Sequence, residues 1–205
     1  MKVIGLTGGI AAGKTTVSAM LRELGAVILD ADNIAHELMA PYQPAWYKIC
    51  QHFGEEYILP DGKINRQKLG RLVFSNPSAL KELNAIIHPI IKDYIEKEIE
   101  KLRREGFDGV VVVDAALIFE AGWTEMLDEI WVVKVDYQTQ LQRLMKRNNL
   151  TQEEAINRIE SQMSQEEKIA RADKVIDNSL SIDDTLKQVK AFWSELLNDR
   201  EKYNG

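Results

Sequence analysis

The chain has 205 residues, 45% hydrophobic and 28% charged, with 32 acidic against 26 basic side chains and a net charge of −6. That length suits one α/β domain with inserted pieces, and the negative balance argues against bulk attraction to nucleic acid or to an anionic membrane. A single cysteine, Cys50, excludes an internal disulfide and suits a reducing compartment. Val3-Ile4-Gly5-Leu6 is too short for a secretory signal, and Asp114 interrupts the longest apolar run, so no membrane span is expected and the cytoplasm follows by elimination.

Taken in order, Lys2 to Thr7 is short and apolar, as a buried strand would be. It runs into Gly8-Gly9-Ile10-Ala11-Ala12-Gly13-Lys14-Thr15, which fits the phosphate-binding pattern G-x-x-x-x-G-K-[ST]. Thr16 opens a helix with Val17, Met20, Leu21 and Leu24 on one face, and Gly25 closes it. A strand, a glycine-rich turn and a helix N-terminus in that order make an anion site. Backbone N–H groups from Gly8, Gly9, Ala11, Ala12, Gly13 and Thr16 line it, and the helix dipole adds positive charge. Lys14 would reach the β- and γ-phosphates of ATP, and the Thr15 hydroxyl would complete a Mg²⁺ shell.

Ala26 to Leu29 is a second buried strand, ending at Asp30-Ala31-Asp32. In open α/β sheets ligands bind at the carboxyl ends of strands, so these acids are placed for chemistry. If the next helix starts at Asp32, that residue is instead its N-cap. Residues 33–105 are mostly helical: Asn33 to Met39, Ala45 to Phe53, a helix capped by Asn65, one opened by Asn76-Pro77, and a charged helix from Ile90 to Glu105. His88-Pro89 is expected to break the last two apart. His36, His52 and His88 share no metal-ligand spacing.

Val110 to Val113 is the strongest strand, with the β-branched character of a central strand buried on both faces. Asp114 at its end is either a carboxylate that holds Mg²⁺, directly or through water, or an acid that merely ends a strand. Glu120 follows, lining the site or solvated. Glu129 to Val135 is a fourth strand leading into a helix with Arg143 and Arg147 on one face. Thr151 and Ser164 open capping boxes. This arginine-bearing segment is either a lid over the phosphates or a surface hairpin paired with its own glutamates, and charge patterning alone favours the hairpin. Lys174 to Asp177 is a fifth strand ending at Asn178. Ser181 caps a final helix with an apolar stripe from Leu186 to Leu197, and a polar tail begins at Asp199.

A short chain with a helical insertion after strand two and an arginine-bearing segment after strand four favours a small-molecule kinase, and no Asn-Lys-x-Asp guanine signature is present. Several ordered pieces resemble the dephospho-coenzyme A kinases: Gly5-Leu6-Thr7-Gly8-Gly9-Ile10 through Gly13-Lys14, Asp30-Ala31-Asp32-Asn33-Ile34-Ala35, His88-Pro89, Leu117-Ile118-Phe119-Glu120, and Ala172 to Asn178. Ala11-Ala12 replaces the family's usual Gly-Ser, and Ala116 replaces a proline. If position 11 takes a positive φ, alanine there costs ~1 kcal/mol.

The resemblance implies a three-layer P-loop fold with a five-stranded parallel sheet, helices on both faces, a helical acceptor-binding insertion and a helical lid. It implies a single kinase domain, 1–205, with its core at 1–32, 106–136 and 172–205, a CoA-binding part at 33–105 and a lid at 137–171. The implied reaction is transfer of the γ-phosphate of ATP to the ribose 3′-hydroxyl of dephospho-CoA. The resemblance makes Asp32 the base or hydroxyl-orienting group. It gives Arg143, Arg147 and Arg158 to the lid and the ATP side, and places Asn178 near the adenine. The alternatives are a kinase for another small acceptor, such as a nucleoside monophosphate, and a nucleotide-binding protein without transferase activity.

Overall fold

The computed structural model describes residues 1–204; the side chains of Phe74 and of residues 199–204, where the polar tail was expected, lie outside the described ones. The elements run β1 (Lys2–Gly8), α1 (Lys14–Glu23), β2 (Val27–Asp30), α2 (Ala31–Leu38), α3 (Pro44–Phe53), α4 (Arg66–Ser75), α5 (Pro77–Arg104), β3 (Val110–Asp114), β4 (Glu129–Lys134), α6 (Tyr137–Asn148), α7 (Gln152–Glu160), α8 (Gln165–Ala170), β5 (Lys174–Asp177) and α9 (Ile182–Asn204). The chain divides into two units, Met1–Leu29 with Gly106–Gly205, and Asp30–Glu105.

The first unit is built on a five-stranded parallel sheet of order β2-β3-β1-β4-β5 with helices on both faces. Successive strand residues point to opposite faces, so alternate positions share a core. Ile4 and Leu6 of β1, Val110 and Val112 of β3, Trp131 and Val133 of β4, and Ile176 of β5 form one face with Val17, Met20 and Leu21 of α1 and Val189, Trp193 and Leu196 of α9. All five residues of β3 are buried, as its unbroken valine run requires of a central strand. Asp114 therefore falls in step with Val110 and Val112, on the face that α1 covers, and it pairs in register with Leu6.

The second unit has its own core of Ile49, Ile64, Leu69, Val73 and Ala79. Its longest element corrects the sequence reading: α5 runs unbroken through His88 and Pro89. Proline at this position removes the bond to the Ala85 carbonyl, at a cost of about 3 kcal/mol. Both Ala85 and Pro89 are exposed, so that carbonyl is open to solvent rather than stranded in the core. On the other side Ile91, Ile95 and Ile99 are buried, and each contributes about 1.5–3 kcal/mol. Packing of α5 against α2, α3 and α4 thus outweighs the local preference. Among the described residues no helix is long and apolar enough to cross a membrane.

Candidate active site

The turn after β1 is shaped by close approach on both sides. A Cβ on Gly8 would overlap the carbonyl of Val133 on the neighbouring strand. Gly13 is the N-cap of α1 with φ 95° and ψ 25°, a left-handed conformation, and a Cβ there would overlap the Asn178 side-chain amide. Between them Ala12 N–H donates to the Gly9 carbonyl at 3.0 Å. Ala11 does take a positive φ, 60°, so the alanine there carries ~1 kcal/mol of strain. Helix α1 has no side-chain cap and no acidic residue in its first turn. Thr16 N–H donates to the Gly13 carbonyl at 3.0 Å, while the N–H groups of Lys14 and Thr15 precede the first helical acceptor, so an anion is their natural complement.

Lys14, the first residue of α1, donates from Nζ to Asp114 Oδ1 at 2.9 Å, with the two side chains 15% and 9% exposed. The P-loop lysine and the strand-end acid are therefore one site. The lysine charge is held at the phosphate end of the sheet by a carboxylate that β3 delivers. Thr15 and Thr16 are exposed beside it.

Polar side chains from later in the chain fix the loop. Gln140, buried on α6, donates from Nε2 to the Ile10 carbonyl at 2.9 Å. Gln162 accepts from Ile10 N–H, also at 2.9 Å. Asn178 is buried, donates from Nδ2 to the Ala12 carbonyl at 2.8 Å, and accepts from the Thr185 hydroxyl at 3.0 Å. Its side chain thus braces the P-loop rather than standing open to a base. Arg143 donates to the Asn178 carbonyl at 3.2 Å. Arg147 instead turns along its own helix, donating to Asn148 Oδ1 from an exposed position. Of the two arginines, only Arg143 is brought to the loop.

Among the described residues, no arginine–glutamate ion pair holds the α6–α7 hairpin. Leu141, Leu144 and Ala155 form an apolar seam that Ile10 and Ala11 of the loop join. Both capping boxes, at Thr151 and at Ser164, are formed.

In the second unit, Asp30 rather than Asp32 caps α2: its Oδ1 accepts from the N–H groups of Asp32 at 3.0 Å and Asn33 at 3.1 Å. Capping therefore does not account for Asp32, which lies in the first turn of the helix that follows β2. His52 pairs with Glu82 at 2.8 Å. Sequence reading missed Gln140 and Lys168. Gln140 sits between the glutamines Gln138 and Gln142 on a largely polar helix with no pattern to mark it, while Lys168 is fully buried against Glu120.

The donor set suits Mg²⁺. Thr15 and Asp114 offer hard oxygen ligands, and Mg²⁺ takes one or two protein ligands with phosphates and water rather than a full protein cage. Asp114 already holds a cation, the Lys14 ammonium. Among the described residues there is no cluster of three or more His, Cys, Asp or Glu that would form such a cage.

The family model for dephospho-CoA kinase matches residues 2–184. The chain belongs to the dephospho-CoA kinase family. It is 50% identical to a dephospho-CoA kinase of Symbiobacterium thermophilum, over 94% of this chain and 80% of that one. With a dephospho-CoA kinase of Geobacter sulfurreducens it shares 47% identity, over 95% and 98% of the two chains. The solved structure of a dephospho-CoA kinase from Campylobacter jejuni superposes with a TM-score of 0.72 at 31% identity, covering 98% of this chain and 100% of that one. A shikimate kinase from Acinetobacter baumannii shares the fold, with a TM-score of 0.55 at 16% identity over 97% and 94% of the chains.

Proposed function

We propose that this protein transfers the γ-phosphoryl group of ATP to the ribose 3′-hydroxyl of dephospho-CoA, giving CoA and ADP. The observation that carries the reading is the Lys14–Asp114 pair at the P-loop, in a chain of the dephospho-CoA kinase family.

The loop amides and the α1 N-terminus bind the phosphates of ATP. Lys14 exchanges its carboxylate partner for the phosphate oxygens and offsets the charge that builds on them in the transition state. A bound Mg²⁺, held by Thr15 and Asp114, would supply further charge neutralisation on the same oxygens. Asp32 orients the 3′-hydroxyl and takes its proton. The hydroxyl oxygen bonds to the γ-phosphorus while the bond to the β–γ bridging oxygen breaks, and ADP leaves. Phosphoryl transfer is mostly positioning and charge stabilisation, so the proton step has a modest share.

Residues 33–105 supply the surface for the CoA moiety. Segment 137–171 serves as the lid: Arg143 already stands at the loop, Arg147 and Arg158 swing to ATP only when the lid closes, and Asn178 flanks the nucleotide from its place behind the loop. The cytoplasm is the compartment of the reaction, with no nucleic-acid or membrane partner. The test is ADP release from ATP with Mg²⁺ and dephospho-CoA, beside nucleoside monophosphates and a control without acceptor, with the product examined for a new 3′-phosphate. Release with dephospho-CoA alone supports the reading. Release only with another acceptor, or none at all while ATP still binds, rejects it.

A further inference from the structure

Lys168 is fully buried, a rare state for a lysine, and its charge is met by two groups only steps away from Asp114. Its Nζ donates to the Ala116 carbonyl at 2.7 Å and pairs with Glu120 Oε1 at 3.0 Å. The same Ala116 carbonyl accepts from the Thr7 hydroxyl at 3.0 Å, and Ala115 N–H donates to the Leu6 carbonyl at 3.0 Å. The chain that leaves Asp114 is thereby held to the end of β1, one residue before the P-loop begins.

The α7–α8 turn closes the arrangement. Met163 N–H donates to Glu120 at 3.3 Å, Gln162 accepts from Ile10 N–H at 2.9 Å, and Gln165 accepts from Val135 N–H at 3.0 Å. Residues 162–168 thus touch the P-loop, the loop after β3 and the end of β4. A buried ammonium cannot be removed from such a set without stranding its acceptors, and a satisfied network of this kind is rigid.

We propose that Lys168, through Ala116 and Glu120, is a positioning residue that holds Asp114 and the Lys14 ammonium in register for phosphoryl transfer. Its catalytic part rests on the kinase reading above. Its structural part, that Lys168 fixes the loop after Asp114, stands apart from any activity.

The test uses the whole protein with Lys168→Met, Asp114→Asn and the double variant, with wild type alongside. Lys168→Met is expected to lower kcat about 10- to 100-fold, the range for groups that orient a ligand from behind. KM for dephospho-CoA stays within about 2-fold. In the double variant the two losses do not multiply, because both act on one group. Amide hydrogen exchange across residues 115–122 and 161–165 quickens while β1 and β4 keep their protection. A kcat near that of wild type, losses that multiply, or unchanged exchange in those segments overturns the proposal. If Lys168→Met does not fold, Glu120→Gln takes its place. That variant is expected to lower kcat about 3- to 10-fold without multiplying the Asp114→Asn loss, and unchanged kcat overturns the proposal. If wild type itself does not turn over dephospho-CoA, the function reading falls, and hydrogen exchange alone decides whether Lys168 holds the loop.

Discussion

Gly13→Ala tests whether the P-loop is held from outside. Gly13 sits at φ 95°, and a Cβ there would overlap Asn178 Nδ2 and lie 3.3 Å from Asn178 Cγ. The left-handed backbone costs an alanine about 1–2 kcal/mol. The Asn178 amide must also move, breaking its bond to the Ala12 carbonyl, worth about 1 kcal/mol, and stranding the buried Thr185–Asn178 pair at about 1–3 kcal/mol. Reduced freedom of the unfolded chain returns about 0.4–1 kcal/mol. The net loss is about 2–5 kcal/mol, a large part of a typical domain's stability but short of abolishing the fold. Urea titration measures it. In an Asn178→Ala background the overlap is gone, and Gly13→Ala should cost only about 1 kcal/mol of backbone strain. Equal costs in the two backgrounds would refute the reasoning, as would a loss below about 0.5 kcal/mol in the wild-type background.

Asp32→Asn is expected to keep ATP binding by calorimetry while losing about 10²-fold or more in transfer; near-normal turnover would remove Asp32 from the base role. Pro89→Ala restores the N–H that the Ala85 carbonyl lacks and is expected to stabilise the protein by about 2 kcal/mol in denaturant titration, with a decrease showing that the kink itself is needed. Hydrogen bonds from Thr139 hold Asp136, the N-cap of α6, below its ordinary pKa of 3.8. A carboxyl with a depressed folded pKa stabilises the fold above its unfolded value and loses that contribution as pH falls through the folded one. Asp136→Asn should therefore flatten the fall in stability below about pH 4, and an unchanged acid slope would exclude Asp136 as a contributor.

The sheet was legible because its strands are short, mostly apolar runs, β3 an unbroken valine run, and its first turn is a pattern of fixed spacing. Val110–Asp114 and Lys174–Asp177 stand where the sequence put them. Caps were legible for the same local reason: Asn65, Asn76, Thr151 and Ser164 each serve as predicted. The reading failed at Pro89, where a local rule met a long-range force. The residue before proline disfavours helix, but three buried isoleucines in the following turns hold α5 continuous. It also had two acids to choose from after β2. Only the geometry assigns the cap to Asp30, because an extended residue and a first-turn residue look alike in sequence.

What the sequence did not reveal has a common physical form. The two groups paired beside the P-loop, Lys14 and Asp114, come from a motif and a strand end, and both are local. The groups that hold them come from far along the chain: Gln140, Gln162 and Asn178 lie more than a hundred positions after the loop residues they bind, and Lys168 lies 52 after Ala116. Each acts through a single side chain aimed at a backbone atom, Lys168 at the Glu120 carboxylate as well. Backbone carbonyls and N–H groups carry no side-chain signature, so no residue pattern announces that Ile10, Ala12 or Ala116 needs a partner. Yet those bonds bear on the chemistry. An ammonium offsets a developing charge only if it is already in place, and a loop in water would have to be ordered at the moment of transfer. The segment after β4 was read as a lid or a surface hairpin. Its far end, residues 162–168, is tied to the P-loop, to the loop after β3 and to β4, and so belongs to the rigid support of the site. Helix α6 is tied there as well, through Gln140 to the Ile10 carbonyl and Arg143 to the Asn178 carbonyl, so closure of the proposed lid would have to break these bonds.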